Sequence, residues 1–195
     1  YAVNNDGKAS AVIVNNGTLS IINNAQTEAK ITFKAENPDM STIPSYATNT
    51  ITNEGTLTIG SNVIVENHSE GGASYAVDNK GVFTLNGGTL KGNRCALRIA
   101  KYNQDNVKFV MNGGLVTAIK PSWIQLPGSN FADAPTINVE INDGTFLSTA
   151  ESSADNNILY TYSFGNSHKN TAITINGGNF LGGTVSIGSG THKQD

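Results

Sequence analysis

The chain has 195 residues and a formal net charge of −3. Charged residues make up only 14%, against ~25% in an ordinary globular domain, and their place is taken by 26 Asn, 21 Gly and many Thr and Ser. The balanced charge, with no Lys/Arg cluster, argues against a nucleic-acid partner, and apolar runs of only a few residues argue against membrane insertion.

Disorder is the other reading of such a composition. It is rejected because the apolar residues are grouped in short β-branched runs and the charge is low. A chain of this length hides roughly 70% of the surface that its unfolded form exposes, so it builds a real core. The single cysteine, Cys95, allows no internal disulfide and leaves the redox compartment open.

Internal repeats organise the chain from its start. Tyr1-Ala2-Val3-Asn4-Asn5-Asp6-Gly7 matches Tyr75-Ala76-Val77-Asp78-Asn79-Lys80-Gly81. Opening in mid-repeat, the sequence reads as a single domain over 1–195 cut from a longer protein. A second phrase is Asn-x-Gly followed by alternating residues. It occurs as Asn15-Asn16-Gly17-Thr18-Leu19-Ser20-Ile21, as Asn53-Glu54-Gly55-Thr56-Leu57-Thr58-Ile59 and as Asn79-Lys80-Gly81-Val82-Phe83-Thr84-Leu85. A third sets an apolar strand before a glycine turn and ends at Gly88, Gly114, Gly144 and Gly178, at intervals of 26, 30 and 34 residues.

Asn-Gly between alternating apolar residues is also a strong hairpin signal, so an antiparallel β-sandwich is the rival architecture. Recurrence of one strand-turn-strand phrase at one coil's length, with insertions of variable size, favours a solenoid. The expectation is all-β: a right-handed single-stranded parallel β-helix of roughly 6–8 coils. Leu57 and Ile59 should point inward and Thr56 and Thr58 outward. Stacked Asn side chains should hydrogen-bond from coil to coil. No stretch holds a helical period.

Three interruptions are expected as loops: 101–106, 121–135 and 151–157. Residues 188–195 read as a polar end or linker. Loops on a rigid scaffold are where binding concentrates, so Tyr102, in the first insertion, and Trp123, in the second, are candidate ligand contacts. Ile158, Tyr160, Tyr162 and Phe164 alternate along one strand. They form either an inward column or an exposed aromatic stripe that stacks on sugar rings, which makes Tyr160 and Tyr162 candidates too.

Catalytic signals are absent. Glu140 and Asp143 are the nearest acid pair, but a turn conformation explains Asp143 and solvation explains Glu140. His68, His168 and His192 have no partners at metal-ligand spacing, so no metal and no cofactor is expected. Cys95 shares a face with Leu97 and Ile99 and reads as a buried, inert thiol.

Asn53–Ile59 and Ile173-Thr174-Ile175-Asn176-Gly177-Gly178-Asn179-Phe180 resemble the pectin-lyase-like superfamily of right-handed parallel β-helices. They are closest in style to its repetitive, non-catalytic surface members in gut bacteria and their phages. The enzymes of that superfamily carry motifs of which this chain has only Arg98-Ile99-Ala100. The resemblance implies a non-enzymatic module on a cell surface, secreted, or on a virion: an adhesin segment, or a phage fibre or decoration protein. Such a module binds extracellular glycans or a host surface protein, contacts neighbouring domains of its parent chain, and as a phage fibre is a homotrimer. The alternatives are a polysaccharide-degrading lyase or hydrolase, or its binding part, and a passive structural stalk.

Overall fold

The three Asn-x-Gly phrases lie one above another. In the computed structural model, which describes residues 11–33, 49–69, 74–100, 107–126, 137–151, 157–163 and 171–187, each phrase joins a short strand on one wall of a solenoid to a strand on the next. The first turn holds β1 (Ile13–Asn15), β2 (Thr18–Ile21) and β3 (Ala29–Phe33). The second holds β4 (Ile51–Asn53), β5 (Thr56–Gly60) and β6 (Val63–Asn67). Next come β7 (Val77–Asn79) with β8 (Val82–Gly92), β9 (Cys95–Ala100) with β10 (Val107–Ala118), and β11 (Lys120–Leu126) with β12 (Ile137–Ser148). The chain continues through β13 (Asn157–Ser163), β14 (Thr171–Ile175), β15 (Asn179–Leu181) and β16 (Thr184–Ser186).

Every strand pairing among the described residues is parallel. An antiparallel sandwich is therefore excluded, and the fold is an all-β parallel solenoid. One wall is a seven-stranded sheet in the order β1-β4-β7-β9-β11-β13-β16. The other is a nine-stranded sheet along β14-β12-β10-β8-β5-β2, with β15, β6 and β3 continuing its far half. The stack is shorter than the repeat count suggests. The turns that begin at β4, β7, β9 and β11 are covered above and below on both sheets, giving about four closed turns rather than six to eight. Among the described residues the outermost strands lack such cover, and Ile175, Val185 and Ile187 are exposed near one end, as Val14 and Ile22 are near the other.

The core is a set of apolar columns. Leu19, Leu57, Phe83, Phe109, Val139 and Ile173 occupy one register position, and the rings of Phe83 and Phe109 meet at 5.3 Å. Val65, Leu90, Val116, Phe146 and Phe180 form another, closed by stacked rings of Phe146 and Phe180 at 5.4 Å. Leu57 and Ile59 are fully buried between outward Thr56 and Thr58, as the alternation requires. Cys95 is buried beside Leu97 and Ile99.

Two corner chemistries hold the turns. Asn15 Nδ2 donates to Asn53 Oδ1 at 2.7 Å, and Asn53 Nδ2 to Asn79 Oδ1 at 2.7 Å. Gly17, Gly55 and Gly81 follow the rungs two residues later, and there coils approach closely: a Cβ on Gly55 would collide with the carbonyl oxygen of Gly17, and one on Gly81 with that of Gly55. On the other wall, Asn86, Asn112, Asn142 and Asn176 form a second amide ladder with bonds of 2.8, 2.9 and 2.7 Å. The glycines behind it at 114, 144 and 178 have φ of +103°, +112° and +103°, a region that side chains with a Cβ rarely enter.

One expected loop is corrected. Residues 121–126 belong to β11, which pairs with β9 on one side and β13 on the other. Pro121 sits at the second position of the strand, near the start, where a missing N–H costs least. Ser122 is buried at an inward position because its Oγ donates to the carbonyl of Ile158 at 3.0 Å.

Candidate ligand-binding corner

The buried Asn ladder stops at Asn79. Its amide ends on the carbonyl oxygens of Lys108 (3.0 Å) and Gly81 (3.2 Å). In the following turns the same register position is held by Ile99, Ile124 and Thr161. From that point the short Asn-x-Gly corner is replaced by insertions. In sequence, residues 101–106 separate β9 from β10, 127–136 separate β11 from β12 and 164–170 separate β13 from β14. Three successive connections are therefore longer in sequence than the two residues, Asn16 and Gly17, that join β1 to β2.

One register column on the seven-stranded sheet runs Thr52, Asp78, Arg98, Trp123, Tyr160 and Ser186. Asp78 and Arg98 are its fixed part. Arg98 Nε donates to Asp78 Oδ1 at 2.7 Å and Nη2 to Oδ2 at 2.5 Å, a bidentate pair. Asn49 Nδ2 donates to Asp78 Oδ2 at 3.2 Å, and the guanidinium lies 4.7 Å from the Tyr75 ring centroid. Asp78 is 1% exposed and Arg98 9%, so both charges are desolvated and depend on each other. Lys80 continues the network outward to Glu54 at 3.1 Å.

The predicted contact residues divide as follows. Trp123 and Tyr160 are direct register partners on adjacent turns, with Arg98 on the other side of Trp123. Gln125 and Tyr162 pair in the same strands. For Trp123 and Tyr162 the backbone alone is described. Tyr160 is half-buried, and the inward-column reading fails for it: Leu159 occupies the core position, in register with Ser122 and Val185. Tyr102 and Phe164 lie outside the described residues, as do His168 and His192.

A second feature was not expected from the sequence. Glu66, Asn67, His68, Lys91, Gly92, Asn93, Thr117 and Thr149 line an open cleft of about 380 Å³ on the far side of the nine-stranded sheet. Glu66, at 6% exposure, is among the lining residues, and its carboxylate lies 2.9 Å from His68 Nε2 and 3.4 Å from Lys30 Nζ. His68 is thus an exposed histidine engaged by an acid two residues away.

The acid pair weighed for catalysis is spoken for. Glu140 accepts from Asn142 Nδ2 at 3.1 Å and faces Lys108 Nζ at 3.6 Å. Asp143 Oδ1 accepts the N–H of Gly144 at 2.7 Å, a turn-stabilising role. Among the described residues no three of His, Cys, Asp and Glu come together as a metal site. The Asp78–Arg98 pair escaped the sequence reading because its partners are on different turns; the ladder register, which aligns Asn79 with Ile99, was the signal that could have placed them side by side. Comparison with family models, curated proteins and solved structures finds no match to this chain.

Proposed function

We propose that this chain is a non-enzymatic, surface-exposed β-helical module that binds glycans at the corner beside Trp123 and Tyr160. The carrying observation is their register: two aromatic residues on adjacent turns, next to a buried Arg98 locked by Asp78, on strands that are each followed in sequence by a longer connection. Aromatic rings offer a flat apolar face to the C–H side of a sugar, and aromatic and Arg residues dominate binding hot spots. Neighbouring turns lie ~4.8 Å apart, so the two residues are close enough to engage one extended ligand. The style of the repeats resembles pectin-lyase-like surface proteins of bacteria and phages, which fits an adhesin segment or a virion fibre facing the cell exterior.

The test is incubation with a panel of bacterial and plant polysaccharides, scoring retention and new chain ends together. Retention without cleavage, lost in Trp123→Ala and in Tyr160→Ala while the variants keep the wild-type circular dichroism, is the expected result. New chain ends in any polymer would overturn the non-enzymatic reading and turn attention to acids on separate turns. No retention of any polymer would overturn the glycan reading and leave a structural stalk.

A further inference from the structure

The exposed ladder contains a chemical weak point that has no bearing on glycan binding. Asn86, Asn112 and Asn176 are each followed by glycine, whereas Asn142 is followed by Asp143. An Asn–Gly junction is open to attack of the glycine amide nitrogen on the Asn side-chain carbonyl, because glycine has no side chain to hinder it. The new C–N bond closes a succinimide, the glycine nitrogen loses its proton, and Nδ2 leaves as ammonia. Water then opens either carbonyl, giving aspartate or isoaspartate.

We infer that Asn176 is the deamidation site of this protein and that the ladder protects its other rungs. Asn112 is fixed at both ends: its Nδ2 donates to Asn86 at 2.8 Å and its Oδ1 accepts from Asn142 at 2.9 Å. Asn176 is fixed by one bond, Nδ2 to Asn142 Oδ1 at 2.7 Å, and its side chain is exposed. The attacking nitrogens differ as well. Gly87 and Gly113 lie inside the long strands β8 and β10, Gly87 in register with Gly60 and Gly113 in register with Asn86. Gly177 lies between β14 and β15. Its N–H reaches the Ile141 carbonyl only at 3.4 Å, because the Asn176 N–H already takes that oxygen at 2.7 Å. A bond of 3.4 Å is beyond the usual range and holds the nitrogen weakly. The remaining exposed junction, Asn16–Gly17, has its nitrogen tied to Asn15 Oδ1 at 3.2 Å within the buried ladder's own turn.

The four junctions fall on separate tryptic peptides, so one experiment ranks them. The intact chain is aged in mildly alkaline buffer, and amide-to-acid conversion and isoaspartate are followed by peptide mass mapping. Asn176 should convert first and faster than Asn112 by about fivefold or more, the equivalent of one neutral hydrogen bond of ~1 kcal/mol. Asn142→Ala, which removes the partner of Asn112 Oδ1, should raise the rate at Asn112 by about fivefold, the same single-bond equivalent. In urea the Asn–Gly rates should converge. Equal rates in the folded chain, or Asn112 converting first, would overturn the inference. So would an Asn142→Ala chain of native circular dichroism with no change at Asn112, or a ranking that survives in urea.

Discussion

The two amide ladders use the same bond and differ in what else depends on it. Bonds in the buried ladder are 2.7 Å and those in the exposed one 2.7 to 2.9 Å. Each buried rung has a second duty. Asn15 Nδ2 also serves the carbonyl of Thr56 at 2.9 Å, Asn53 Nδ2 that of Val82 at 3.0 Å, and Asn79 Nδ2 that of Lys108 at 3.0 Å. These side chains complete the backbone bonding of a corner from which water is excluded. The exposed amides bond chiefly one another, and water can replace any rung. Their run also donates in the opposite sense, toward earlier turns. Burial, more than hydrogen-bond length, decides which ladder the fold requires.

The largest break should come one residue before a buried rung. Asp78→Ala leaves the Arg98 guanidinium buried and unpaired, so a loss of about 3–5 kcal/mol is expected in urea unfolding. Replacing both, as Asp78→Leu with Arg98→Leu, should recover most of that, since a buried ion pair contributes little net stability over a well-packed apolar pair; a double variant as weak as Asp78→Ala would contradict this. Next comes Asn53→Ala, the central rung. It removes one bond each from the buried Asn15 amide, the Asn79 Oδ1 and the Val82 carbonyl, and a cost of about 3 kcal/mol follows from three buried hydrogen bonds at ~1 kcal/mol each. Gly55→Ala should lose about 2–3 kcal/mol by forcing the Cβ against the Gly17 carbonyl.

The sequence made the columns legible because the strand phrase repeats: Leu57, Phe83 and Phe109 could be placed inward from alternation alone, and the rungs at Asn15, Asn53 and Asn79 from the Asn-x-Gly spacing. It misplaced 121–126 because Pro, Trp and nearby Gly-Ser are loop composition. The strand nevertheless forms since Ile124 fills the core and Ser122 finds the Ile158 carbonyl. The Asp78–Arg98 pair and the Glu66 cleft were illegible for another reason. Their members come from different turns, separated by insertions of unequal length, and side-chain proximity then depends on register. Of the aromatic candidates, Trp123 and Tyr160 were chosen separately, and only the β11–β13 register makes them neighbours.

The smallest expected effect is the most informative about the ladders. Asn112→Ala removes two side-chain bonds, as many as the Asn–Asn bonds at Asn53, yet it should cost less than about 1 kcal/mol because water satisfies Asn86 and Asn142 afterward. A double-mutant cycle between Asn112 and Asn142 should give a coupling near 0.5 kcal/mol, the low end for residues in contact. The same cycle between Asn53 and Asn79 should give a coupling several times larger, since no water reaches the buried rungs. Equal couplings in the two ladders would mean that amide stacking is intrinsically cooperative along the solenoid, and that exposure is not what separates them.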